Sequence, residues 1–140
     1  MTTARLDSRL SSNSSAVISI FRAVVGFLFA IHGAMILFGW PIDFKMPVGQ
    51  WPAWWAGLIE FVTGLLVMVG LFTRPAAFLA SGTMAVAYFW QHQPHALWPT
   101  APPPQGNGGE QAILFCFAFF LLVFIGPGRI ALDNMLRRRR

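Results

Sequence analysis

AVISIFRAVVGFLFAIHGAMILFG, the stretch Ala16–Gly39, decides the fold class of this 140-residue chain. It is long enough to cross a bilayer as a helix, which takes about 20 apolar residues. Three further apolar stretches follow it: Ala53–Phe72, Pro75–Gln91 and Gln111–Gly126. Their apolar residues occur in unbroken runs, whereas membrane β-strands alternate apolar and polar residues. We therefore predict an all-α fold, an antiparallel bundle of four transmembrane helices.

The composition is that of an integral membrane protein, because 56% of the residues are hydrophobic and only 11% are charged. A soluble domain of this size cannot bury so much apolar surface in one core. We divide the chain into three parts. Residues 1–15 are a serine-rich tail, disordered or interfacial; residues 16–128 are the four-helix membrane domain; residues 129–140 are a basic tail.

The basic residues predict the orientation in the membrane. If the N-terminus is cytoplasmic, nine basic residues lie on the cytoplasmic side and only Lys45 lies outside. Cytoplasmic segments of membrane proteins carry the excess of Lys and Arg. We therefore predict that both termini are cytoplasmic. The nine residues are Arg5, Arg9, Arg22, Arg74, Arg129 and Arg137–Arg140.

The terminal run Arg137–Arg140 has two interpretations, binding of nucleic acid and contact with anionic lipid. Beside a membrane helix the lipid contact is favoured. The predicted partner of this tail is therefore the lipid bilayer and not a nucleic acid. Cys116 is the only cysteine, so no disulfide can form within the chain.

Two polar residues lie at the same predicted depth. His32 is about seven residues before the outer end of the first span, and Glu60 is about seven residues into the second. Both therefore lie roughly 10 Å below the outer surface. Glu60 also shares a helix face with Gly57 and Gly64, which is typical of a face that packs on another helix. Two roles remain open for Glu60: a structural polar clamp, or a carboxylate that handles protons or binds a ligand.

Other polar residues approach the same level. Tyr88 ends the third span and Glu110 begins the fourth on that side, although Tyr88 also suits an interface anchor. His92 and His95 lie in a proline-rich loop and do not predict a metal site. Arg22 is predicted either to reach the inner headgroups or to pair with Asp133.

The ordered set of motifs resembles the DoxX family of small bacterial membrane proteins. The resemblance runs from about Phe21 to Asp133. It depends on Arg22, His32-Gly33, Glu60 with Gly64, GLFTRPAA at 70–77, NGGE at 107–110, and GPGR at 126–129 followed by Leu132-Asp133.

The resemblance implies a multi-pass protein of the bacterial inner membrane. Relatives include membrane subunits of thiosulfate:quinone oxidoreductase, and anchors in complexes with a sulfurtransferase and a superoxide dismutase that are linked to thiol and oxidative stress. It also implies a shared polar site, to which it adds Asn107. We expect Glu60 and His32 to be catalytic. The residues expected to bind a cofactor, for which quinone is the candidate, are His32, Glu60, Tyr88, Glu110 and Asn107.

Three functions remain open. The first is a redox-complex membrane subunit that contacts quinone and is an enzyme only with a partner that supplies electrons. The second is a non-catalytic anchor that assembles soluble redox partners through Arg129 and the arginine tail. The third is a small transporter with a path lined by His32, Glu60 and Glu110. Four spans are few for a transporter, so that function requires a homo-oligomer.

Overall fold

The computed structural model describes residues 3–139 and is helical, with no strand in that range. Four long helices are followed by a short one. Their bounds are α1 Thr3–Phe38, α2 Ala53–Val69, α3 Thr73–Ala87, α4 Glu110–Ile125 and α5 Leu132–Arg137; a π-helical turn, Tyr88–His92, extends α3. The predicted all-α class is confirmed.

Helix α1 differs most from its predicted span. It has 36 residues and is about 54 Å long, well beyond the roughly 30 Å of a bilayer core. The serine-rich tail is part of this helix from Thr3 on. Ser8 and Ser12 donate hydrogen bonds to the carbonyls three residues earlier, at 3.1 and 2.8 Å. These serines satisfy their hydroxyls within the helix, which allows the polar sequence to remain helical.

Helix α1 has the length and the composition of a membrane span. Among the described residues it is the helix long and apolar enough to cross a membrane, while α2 and α4 are apolar but shorter. The outer surface of the bundle is also apolar. Large side chains face outward on every long helix, among them Phe27, Val62, Phe78 and Phe117, which are 47–69% exposed. This distribution suits a helix bundle that is surrounded by lipid.

Helices α1 and α2 run antiparallel with their backbones in contact. Cβ atoms built on Gly26 and Gly64 would lie 2.5 Å from the backbone nitrogens of Met68 and Ala30. One built on Gly33 would overlap the backbone of Phe61. Residue numbers rise along α1 as they fall along α2, and glycine is what allows so close an approach.

Helices α3 and α4 form the second antiparallel pair. Ser81 donates a hydrogen bond to the Cys116 carbonyl at 2.9 Å, and Arg74 donates to the Val123 carbonyl at 2.7 Å. The two pairs meet in a core whose largest fully buried side chains include Phe29, Phe119 and Leu122. The ring centroids of Phe29 and Phe119 lie 4.6 Å apart.

The turn between α2 and α3 lies earlier than expected. The predicted spans Ala53–Phe72 and Pro75–Gln91 leave only Thr73-Arg74 for the turn between them. Both of these residues are in α3, and the turn is Gly70–Phe72. Gly70 has a φ of 74°, a left-handed conformation that glycine adopts without strain, and the Leu71 N–H donates to the Leu66 carbonyl at 2.9 Å. This glycine therefore ends α2 at Val69, three residues before the predicted end of the span at Phe72.

The basic end of the bundle, defined as residues 15–22, 66–76 and 123–139, is held together by side chains bonded to backbone. Arg22 is 3% exposed and donates to the carbonyls of Val67, Met68 at 2.6 Å, Ile130 at 2.7 Å and Pro127 at 2.9 Å. The Arg129 N–H donates to the Ser15 carbonyl at 3.2 Å. The segment after α4 therefore packs on the start of the apolar part of α1, so residues 15 and 129 lie at the same end.

Candidate functional site

Glu60 lies on the face of α2 that packs against the bundle. It is 8% exposed and is flanked on that face by Gly57 and Gly64, both buried. A Cβ on Gly57 would overlap the side chain of Ile36, and one on Gly64 would meet Ala30. The predicted inward orientation is therefore observed. No hydrogen bond joins the carboxylate to another group within residues 3–139.

His32 lies at the level of Glu60 along the bundle. Its neighbour Gly33 approaches the backbones of Gly57 and Phe61, and Phe61 follows Glu60 in the sequence. The side chain is half-buried. It packs edge-on against the Phe115 ring of α4, with the ring centroids 5.7 Å apart.

The hydrogen bonds of His32 define its tautomer. Nδ1 lies 2.9 Å from the Leu28 carbonyl oxygen, which can only accept, so Nδ1 carries the proton and donates. Nε2 is then the acceptor for the Gln111 side-chain amide, 3.1 Å away. Gln111 is a residue that sequence reasoning missed, because its neighbour Glu110 offered the more conspicuous charge.

Glu110 does not join this group. It is exposed at the start of α4, where a carboxylate suits the positive end of the helix dipole. The contact expected of Glu110 is made by Gln111, one residue further along, because a shift of one residue turns the side chain by about 100° around a helix.

Tyr88 and Asn107 are brought together, but mainly as part of the loop structure. Asn107 is 2% exposed; its amide donates to the Ala96 carbonyl at 2.9 Å and reaches the Tyr88 hydroxyl at 3.5 Å. Its side-chain oxygen accepts from the Gly109 N–H at 2.8 Å. His92 donates from Nδ1 to the Asn107 carbonyl at 3.0 Å. Asn107 thus holds the long loop of residues 93–109 against the end of α3.

The arrangement provides one buried carboxylate, one half-buried imidazole at the same level, and, in the adjoining loop, the side chain of Asn107 with its hydrogen bonds made. The described residues contain no group of three or more His, Cys, Asp or Glu that could hold a metal ion. Carboxylate, imidazole and amide side chains of the kinds found at Glu60, His32 and Gln111 can in general exchange protons or hydrogen bonds.

The fold and these buried polar groups define a small all-helical membrane-associated protein, apolar outside and polar at a few points inside. Comparison with known proteins assigns the family. The DoxX family model matches residues 17–93. A Haemophilus influenzae protein described as "Uncharacterized protein" is 39% identical over an alignment of 123 residues that covers 84% of this chain and 88% of that protein. No solved structure matches the chain. The chain belongs to the DoxX family.

Proposed function

We propose that this protein is a membrane subunit of a redox complex and that it contacts quinone near Glu60 and His32. The observation that supports this most directly is Glu60 itself, a carboxylate 8% exposed within an apolar helix. Ionisable residues inside membrane segments are costly and usually functional. A structural clamp would be expected to bind a partner group, and no such bond is present among residues 3–139.

His32 supports a contact with the reduced form, the quinol, whose hydroxyl can donate to a nitrogen acceptor. Its Nδ1–H is held by the Leu28 carbonyl, which leaves Nε2 as an acceptor facing the Gln111 amide. A bound quinone supplies two-electron, two-proton redox chemistry. Gln111 could donate to a quinone oxygen, while Glu60 takes up or releases a proton. The chain has one cysteine and therefore cannot form a disulfide within itself. The oxidation of a thiol or of thiosulfate would accordingly take place in a partner protein.

The proposed setting is the bacterial inner membrane, crossed four times, with both termini in the cytoplasm. The contact of Arg129 with Ser15 supports the two ends of the membrane domain being on one side. The excess of arginine at the basic end supports that side being cytoplasmic. The tryptophans belong to the other end and suit the outer headgroup level, since Trp40, Trp51, Trp55, Trp90 and Trp98 are all exposed.

The test is the quinone content of the protein isolated in mild detergent from the cells that naturally make it. Glu60→Gln removes the ionisable proton with little change in shape. Glu110→Gln is the matched control, because Glu110 is the only other glutamate and is exposed. Solvent extraction followed by mass spectrometry should find quinone with the wild type and the control. The Glu60 variant should retain about tenfold less at equal protein abundance, the loss expected for one strong hydrogen bond.

The alternative function is an anchor that assembles soluble redox partners. The exposed arginines Arg129 and Arg137–Arg139 at the basic end favour it. Soluble proteins that copurify while quinone is absent from the wild type would support the anchor and contradict the quinone proposal. If the wild type and Glu60→Gln retained equal amounts of quinone, Glu60 would not be part of the proposed site.

A further inference from the structure

A polar cavity opens at the basic end, away from Glu60 and His32. Its volume is about 210 Å³, and it lies between the start of α3, the turn after α4, and α5. Its lining includes Phe72, Thr73, Arg74, Pro127, Asp133 and Arg137. We call it the basic-end cavity.

The charges around the cavity suit one monovalent anion. Arg74 and Arg137 contribute two positive charges and Asp133 one negative charge, so the lining has a net charge of +1. The Asp133 carboxylate is already engaged, because it accepts from the Phe72 N–H at 2.8 Å and the Thr73 N–H at 3.0 Å. Arg74 is fixed beside the cavity by hydrogen bonds to the Val123 and Phe124 carbonyls at 2.7 and 3.1 Å.

Thr73 adds an unused donor to the cavity. The residue is fully buried, and its hydroxyl is the buried side-chain group without a hydrogen-bond partner within residues 3–139. The hydroxyl lies near Asp133 but outside hydrogen-bond geometry. A buried polar group without a partner is costly, and a ligand that accepts from it would remove that cost.

Apolar surface adjoins the cavity and favours a lipid over a free ion. Phe72, in the lining, is 63% exposed. On α5, Met135 and Leu136 are 56% and 51% exposed next to the exposed Arg137. A short helix with exposed apolar and basic residues suits the boundary between headgroups and acyl chains.

We propose that the basic-end cavity binds the phosphodiester of one anionic phospholipid. Arg137 and Thr73 donate to the phosphate oxygens and Arg74 supplies positive charge, while the acyl chains lie along Phe72 and the apolar side of α5. The site is independent of the proposed redox role.

The experiment is native mass spectrometry of the full-length protein in detergent, with phosphatidylglycerol added and phosphatidylcholine as the neutral lipid. We expect the wild type to retain one phosphatidylglycerol and little phosphatidylcholine. Arg137→Gln should weaken retention about tenfold or more, the effect of losing a charge-assisted hydrogen bond. Arg139→Gln is the matched control. It should weaken retention by about fivefold at most, which is the effect expected of general attraction to anionic lipid.

Thr73→Val separates binding from folding. Because the hydroxyl has no partner among residues 3–139, this variant should keep the wild-type thermal stability and still lose retention severalfold. If Arg137→Gln and Arg139→Gln lost lipid retention equally, the lipid would be held by diffuse charge attraction, which would contradict the proposed site. Equal retention of the two lipids would do so as well. Displacement of the lipid by millimolar inorganic phosphate would reveal a free-phosphate site instead.

Discussion

His32 of α1 accepts a hydrogen bond from Gln111 of α4, with the His32 Nε2 and the amide nitrogen 3.1 Å apart. The bond joins the first and last long helices at the level of Glu60. It is also a bond that only one tautomer of His32 can make.

The first prediction concerns that tautomer. In ¹⁵N NMR spectra of labelled protein at neutral pH, the proton of His32 should be on Nδ1, because the Leu28 carbonyl accepts from it. His92 should show the same tautomer, since its Nδ1 faces the Asn107 carbonyl. His95 is exposed and serves as the reference. A proton on Nε2 of His32 would contradict the hydrogen bond in which the Gln111 amide nitrogen is the donor.

The second prediction concerns the backbone contact between α1 and α2. Gly64→Ala should destabilise the protein by about 1–3 kcal/mol, the usual cost of overpacking, since the added Cβ would lie 2.5 Å from the Ala30 nitrogen. Gly82→Ala is the control, because among residues 3–139 no atom beyond the backbone of its own helical turns and its two chain neighbours lies within 4 Å of the added Cβ. Thermal unfolding in detergent should separate the two variants. If Gly64→Ala were as stable as Gly82→Ala, the helices could not be in backbone contact.

Much of the bundle could be predicted because apolar runs fix where helices are. The second and fourth spans, predicted as Ala53–Phe72 and Gln111–Gly126, correspond to helices Ala53–Val69 and Glu110–Ile125. The ends of the helices follow less directly from the apolar runs. The glycine at position 70, for example, ends a helix through its conformation and not through its hydropathy. Helix α5 was not predicted, since six residues give too short a pattern.

The partners of polar side chains could be predicted least. Arg22 was expected to pair with Asp133 or to reach the headgroups, but its four hydrogen bonds all go to backbone carbonyls. Asp133 instead accepts from N–H groups at the start of α3. A sequence shows which side chains need partners, but backbone donors and acceptors become available only once the helix ends are in place.

The third prediction is a pH dependence that comes from Asp133. Burial alone would raise its pKa, but the N–H groups of Thr73 and Phe72 and the charge of Arg137 outweigh burial and lower it. A carboxyl with a lowered folded-state pKa stabilises the fold above its unfolded pKa of about 3.9. That contribution is lost as the pH falls through the folded-state value.

The measurement is the melting temperature of the wild type and Asp133→Asn between pH 7 and pH 3. At pH 7 the variant should melt lower, because an amide oxygen replaces a charged acceptor. The difference should shrink below about pH 4. Asp7→Asn, at an exposed position near the start of α1, should follow the wild type throughout. A difference that stays constant with pH would contradict the role assigned to the Asp133 charge.

The last prediction is the orientation of the bundle. Single cysteines are introduced at Ser12 and Gln105 after Cys116→Ala has removed the native thiol; both positions are exposed. Gly106 is unsuitable, because its added Cβ would overlap the Ala101 carbonyl. In intact cells an impermeant thiol reagent should label position 105 and not position 12, since the basic end is expected to be cytoplasmic. In permeabilised cells the reagent should label both positions. The reverse labelling would put the basic end outside the cell. Labelling of both positions in intact cells would put residue 12 and the loop of residues 93–109 on the same side, which contradicts a bundle that crosses the membrane between them.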